Sequence, residues 1–403
     1  MSQVVSIGTY LPARTSHGRC VAGPDEDALT MAVAAGRAAD PGATAQRVVL
    51  VSRDFPLLEG GNGGVLLAAL SLSATTAVSE VIGGAPAVLD QIVSAGAGTL
   101  VLAADNSAAN SAAAAVLIGD AGTAVVRVAQ QTRSLPVTVR GADGVRHEYG
   151  DPRLQREVGV KSTLSRLGLS EATEIAAVVG AKANELGTSW GTTGAVEYPA
   201  SSASGVIRAL AEVIEQGRSG VLLAIEQSSV TAAEVTPGVS SPVITRNEVS
   251  TRELPKFRIA EGNGIPISLP AYARAFEPKL RWEAAVFEEC PGIDSAPQFP
   301  PRARVADDGA LVSSYQLKPL PRTGTIYTQT TIRIPVPDLP SPYSIAVVQL
   351  EGSPVRVLMK ITGVPAGEAV IGQAGSVVLR KIADRAGIPD YGYAFQPHEG
   401  ARS

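Results

Sequence analysis

Thiols and imidazoles are the scarce reactive groups of this chain, with two cysteines, Cys20 and Cys290, and three histidines, His17, His147 and His398, in 403 residues. Nucleophilic catalysis needs a thiolate, or a hydroxyl beside a base, yet no histidine lies between residues 148 and 397. His147, in GVRHEYGDP among charged residues, reads as an exposed loop histidine. Ser79 lies in SEVIGG just ahead of an apolar helical pattern. With no His or Lys in sequence position to activate it, Ser79 reads as a helix cap or loop serine. The glycine-rich EGGNGG at residues 59–64 lacks the Lys-Ser/Thr ending of a phosphate loop and reads as a loop. Two cysteines cannot build a disulfide framework, so a cytoplasmic location is expected.

Elements must position whatever chemistry exists. Lys plus Arg number 34 against 38 Asp plus Glu, a net charge of -4 with no block of like charges, which argues against a nucleic-acid surface. No apolar run approaches the roughly 20 residues of a spanning helix, and the start MSQVVSIGTYLPA lacks a basic region leading into an apolar core. No membrane partner is expected.

Residues 1–235 alternate short apolar strands with amphipathic stretches, an α/β pattern. Expected strands are Val4–Gly8, Val48–Val51, Thr99–Ala104, Ala114–Ile118, Thr123–Val128 and Val221–Ile225. A repeat lies within them: GAPAVLDQIVSAGAGTLVLAAD (Gly84–Asp105) and GVIRALAEVIEQGRSGVLLAIE (Gly205–Glu226) align without a gap over 22 positions at an offset of 121. Helical apolar spacing, a glycine, a buried strand and a terminal acid recur in the same order, which points to duplication. Residues 236–280 are Pro-rich and loop-like, and a linker is expected there. From residue 281 the pattern turns all-β, with GTIYTQTTIRIPV placing Ile326, Thr328, Thr330, Ile332 and Ile334 on one face and SPVRVLMKITG placing Val355, Val357, Met359 and Ile361 on one side. Short strands joined by Gly and Pro turns suggest a small closed barrel.

SIGTYLPA, DEDALTMAVAAGRAA, LVLAAD and IGDAGTAVVRV make residues 1–235 resemble the thiolase superfamily, in its HMG-CoA synthase and ketoacyl synthase III branch. FPPRARV, GTIYTQTTIRIPV, PYSIAVVQLEG, VIGQAGSVVLRKI and YGYAFQP make residues 280–397 resemble the OB-fold domain of DUF35 type that accompanies acyl-CoA thiolases. The resemblance implies a duplicated, layered αβαβα domain at residues 1–235, a linker at 236–280 and an OB barrel at 281–403.

It also implies a Cys nucleophile at a buried helix N-terminus, assisted by a His and an Asn or second His. Family registers put the nucleophile at Val81 or Ser79, the His at Ala181 with Asn184 kept, and the Asn at Ala200 or Thr192. The general-base Glu of HMG-CoA synthases falls at Arg53 or Asp54. The zinc ribbon that usually precedes the barrel retains only Cys290, so a four-thiolate site cannot form and no metal is expected. The expected role is a non-catalytic scaffold of an acyl-CoA thiolase or acyltransferase complex, without a cofactor but able to hold or channel an acyl-CoA thioester. Its partners would be a catalytic thiolase or acyltransferase subunit and a second copy, the latter through the strand Thr99–Ala104. The rival reading is an active acyltransferase, or a C–C condensing or cleaving enzyme, with an atypical site.

Overall fold

A computed structural model describes residues 2–107, 110–133, 138–141, 145–149, 151, 153, 159–170, 172–187, 190–200, 202–248, 251–253, 257–262, 276–287, 292–335, 337, 339–385 and 387–398. The chain forms two compact units, one of Met1–Leu11, Ala34–Gly63 and Thr75–Val249, the other of Pro12–Val33, Gly64–Ala74 and Ser250–Ser403.

The first unit is a duplicated α/β domain. Its first half contains β1 (Ser2–Leu11), β2 (Arg47–Ser52), β3 (Ala77–Ile82), β4 (Thr99–Ser107) and β5 (Asn110–Gly119). Its second half contains β6 (Thr123–Gln131), β7 (Ile175–Val179), β8 (Val196–Tyr198), β9 (Gly220–Glu226) and β10 (Ser229–Thr236). The spatial orders are β3-β2-β4-β5-β1 and β8-β7-β9-β10-β6, so both halves place their strands third, second, fourth, fifth, first. In each half the second strand lies between two parallel neighbours and the fifth is antiparallel to both of its own. β1 meets β6 antiparallel, joining the halves into one sheet.

All six expected strands lie within observed ones. The apolar centres TLVLAA of β4 and VLLAI of β9 are buried, as strands covered on both faces must be. In the core, helices α1 (Ala85–Ser94) and α2 (Ala203–Glu215) pack against each other and the sheet. Each brings an apolar stripe to that contact, Val88, Leu89 and Ile92 on α1 and Val206, Leu210 and Val213 on α2.

Two expectations change. Thr99–Ala104 is not an edge, because β4 is paired on both sides, by β2 and β5. The outermost strand of that half is β3, where Ile82 is 74% exposed. The stretch expected to be a linker, residues 236–280, contributes β11 (Val243–Glu248), which pairs parallel with β1 and extends the first unit to Val249. β11 is largely exposed and polar, so backbone pairing rather than an apolar pattern fixes it.

The second unit carries a closed barrel of β12 (Thr323–Ile332), β13 (Tyr343–Leu350), β14 (Arg356–Ile361), β15 (Ala374–Arg385) and β16 (Ile388–Pro397), in the order β12-β13-β14-β16-β15. Val355 and Met359 are buried in its core, with Val357 and Ile361 packed against it. The alternation expected along β12 breaks at a bulge between Ile326 and Thr328, leaving Ile326 buried and Ile334 exposed.

This unit also holds the acidic segment Asp25–Asp27. Arg380, 2% exposed, pairs with Glu26 at 3.3 Å and Asp25 at 3.8 Å. Thr362 donates through Oγ1 to Asp25, the Tyr391 hydroxyl donates to Asp27 at 2.7 Å, and the Lys381 N–H donates to the Asp25 carbonyl at 2.9 Å. Residues of the DEDALT motif therefore serve the barrel. Among the described residues, no helix is long and apolar enough to cross a membrane.

Candidate functional site

The N-termini of α1 and α2, the two core helices, present backbone N–H groups without intrahelical partners and the positive end of a helix dipole. The acids that close the two copies of the sequence repeat both serve these ends. Asp105, ending the buried part of β4, caps α2 in the other half. It accepts hydrogen bonds from the Ala203 and Ser204 N–H groups, both at 2.8 Å, and from the Ser202 and Ser204 hydroxyls, both at 2.6 Å. Ser202 is the N-cap, its Oγ accepting from the Gly205 N–H at 3.0 Å, and Asn110 donates to the same oxygen at 3.3 Å.

Glu226, ending β9, reaches the start of α1 from the other half. Here the cap is Gly84, whose side chain makes no bond because there is none. Glu226 is ion-paired with Arg53, which follows β2. A Cβ placed on Gly84 would overlap both the Arg53 guanidinium and the Glu226 carboxylate. At this helix start, three residues past the expected nucleophile position Val81, the space of a side chain is filled by an Arg–Glu pair.

Ser79 and Val81 lie within β3, before the helix start. Ser79 Oγ accepts from Arg47 at 3.4 Å, the two strands being paired at Val49 and Ser79. Val81 corresponds to the cap Ser202 in the 121-residue register, but α2 begins a turn earlier than α1 does, so Val81 remains strand. Ala181 is buried among Leu164, Ile175 and Leu186, whereas Asn184 is exposed. Ala200 is exposed ahead of the Ser202 cap, and Thr192 lies in a turn closed by the Ala195 N–H to its carbonyl at 3.0 Å. Asp54 accepts from the Asn106 N–H at 2.9 Å and stands 3.7 Å from Arg140.

The histidines stand elsewhere. His17 is on an exposed turn, His147 is exposed in a hairpin with residues 138–140, and His398 Nε2 is 2.9 Å from the Ser376 hydroxyl in the second unit. Cys290 lies outside the described residues. The arrangement thus offers hydroxyls bonded to a carboxylate at α2 and an ion pair at α1, with no imidazole in either cluster. Of the residues in these two clusters, family register singled out only Arg53, as a general-base position, and not Glu226, Asp105, Ser202 or Ser204. Their signal was the terminal acid shared by the two copies of the repeat.

Comparison with known proteins adds the following. Residues 317–380 match the family model of the ChsH2 C-terminal OB-fold domain, in agreement with the five-stranded barrel. Among solved structures, 3-oxoacyl-(acyl-carrier-protein) synthase III from Aquifex aeolicus VF5 is 14% identical with a TM-score of 0.46, over 59% of this chain and 100% of that one. FabH from Pseudomonas aeruginosa PAO1 is 15% identical with a TM-score of 0.43, over 60% and 98%. OleA from Xanthomonas campestris, with bound lauric acid and lauroyl-CoA, is 14% identical with a TM-score of 0.45, over 58% and 98%. No curated protein matches the chain.

Proposed function

We propose that this chain is a non-catalytic accessory subunit of an acyl-CoA thiolase or acyltransferase complex. Its thiolase-like unit would hold or channel a thioester, and its barrel would engage a catalytic partner. The observation that carries this reading is the start of α1, where Gly84 supplies no side chain and the Arg53–Glu226 pair occupies the space a side chain would need. A helix N-terminus favours a thiolate because its dipole is otherwise unmet. Here the Glu226 carboxylate stands beside the helix start, already paired with Arg53. A second copy would pair through the outermost strand β3, whose unpaired backbone groups invite strand addition.

One observation favours the rival reading of an active enzyme: Ser202 and Ser204 present hydroxyls to Asp105 at a helix start. Against it, Asp105 is engaged by four donors and serves as a cap. The test is purification of the full chain from its host, identification of co-purifying proteins by mass spectrometry, and thiolysis and acyl-transfer assays with and without them. The accessory role predicts a Cys-bearing thiolase or acyltransferase that travels with the chain and activity that needs both. Turnover by the chain alone, lost in Ser202→Ala or Ser204→Ala, would establish the rival.

A further inference from the structure

A cleft of about 430 Å³ opens on the second unit, a size typical of small-molecule sites. Its walls are apolar, formed by Phe257, Pro342, Tyr343, Val364 and Ile382. Phe257 and Ile259, which line it, are 39% and 58% exposed.

The charges around the cleft set the sign of the ligand. Three cations and two carboxylates line it: Arg14, Lys360 and Lys381 against Asp25 and Asp384. Lys381 Nζ is paired with Asp384 at 2.8 Å. Asp25 is taken up by the Thr362 hydroxyl and by Arg380. Lys360 Nζ donates to the Ile382 carbonyl at 2.6 Å and lies 5.3 Å from the Tyr343 ring centre. That leaves Arg14, which enters no ion pair among the described residues; its Nε, Asp25 Oδ1 and Glu26 Oε2 each lie 3.1 Å from where a Cβ on Gly23 would stand, so its terminal nitrogens are the donors left for a ligand. Its planar fork of donors matches a carboxylate in two-point contact.

We infer that this cleft binds a small aliphatic carboxylate, with Arg14 taking the head group and the Phe257–Val364–Ile382 walls taking the chain. The inference does not depend on the accessory role, since the cleft lies wholly within the second unit. The probe is decanoate below its micellar concentration, titrated calorimetrically into the full-length protein, with decanol and acetate as the uncharged and chainless controls. Decanoate should bind one per chain, about tenfold or more tighter than either control, because one charge-assisted contact contributes at least that factor. Arg14→Gln should cost about tenfold for decanoate and leave decanol unchanged. Val364→Trp, which fills the cleft from its apolar wall, should abolish binding of both, with the circular dichroism spectrum checked for an intact barrel. Three results would overturn the inference: no saturable decanoate binding, decanol binding as tightly as decanoate, or equal decanoate affinity in Arg14→Gln and the parent.

Discussion

Gly84→Ala probes the α1 start with the smallest possible change. The backbone there, φ -114° and ψ -144°, has a negative φ, so the new residue is not forced into the left-handed region. Its cost is steric, because the new methyl overlaps the Arg53 guanidinium and the Glu226 carboxylate. Overpacking of this kind costs about 1–3 kcal/mol. The displaced ion pair adds little, its side chains being 30% and 18% exposed. A total near ~2 kcal/mol is expected, equivalent to roughly a 30-fold faster exchange of the α1 amides if they open with the unit. Hydrogen exchange of the full chain, resolved on peptides spanning residues 85–94 and 220–226, reads this directly. In an Arg53→Ala, Glu226→Ala background the methyl has room, and its cost should fall below about 0.5 kcal/mol, the difference being the coupling. Equal cost in both backgrounds, or no cost in the parent, would refute the claim that the pair fills the space of a side chain at this helix start.

Two further outcomes concern the second unit. Arg380→Met leaves Glu26 buried without its cation and should destabilise that unit by about 3–5 kcal/mol, read by unfolding followed through the buried Trp282; a loss under about 1 kcal/mol, as for a surface pair, would show the acidic segment is not held there. Asp390 stands in a second barrel cleft lined also by Lys279 and Lys360, and burial pushes its carboxyl up to about 6. Unfolded aspartates titrate near ~3.9, so between that pH and the folded value the native state binds more protons than the unfolded one. Stability from this group is therefore greatest in acid and declines as pH rises through about 6, by about 2 kcal/mol after allowance for water at the cleft. Asp390→Asn should gain on the parent by that amount at pH 8 and match it at pH 4; parallel pH profiles would contradict the assignment.

The duplication was legible because its signal is local: helix, glycine, apolar strand and acid recur in fixed order, and the topology repeats with them. Asp105 and Glu226 were visible as matched positions, but their roles were not. Asp105 caps a helix of the opposite half and Glu226 pairs with Arg53 beside the other, and sequence spacing within one copy carries no trace of either contact. β11 was missed because a polar strand held by β1 on its edge shows neither apolar alternation nor a buried run. β4 was expected to supply a dimer edge, yet an uninterrupted apolar strand such as TLVLAA belongs in the middle of a sheet. Val81 and Ser79 were chosen by register alone, and register could not show that α2 starts a turn earlier than α1. The barrel was legible by its order of strands, whereas the anchoring of Asp25–Asp27 to Arg380 joins segments far apart in the chain and is written only in three dimensions.

The most direct test of the central claim is intact-mass analysis of the isolated full-length chain after incubation with a series of acyl-CoA thioesters, with free CoA measured alongside. An accessory subunit gains no acyl adduct and releases no CoA above the rate of buffer alone. A stoichiometric acyl adduct mapped to Ser79, Ser202 or Ser204, with matching CoA release, would contradict it and make this chain an enzyme in its own right.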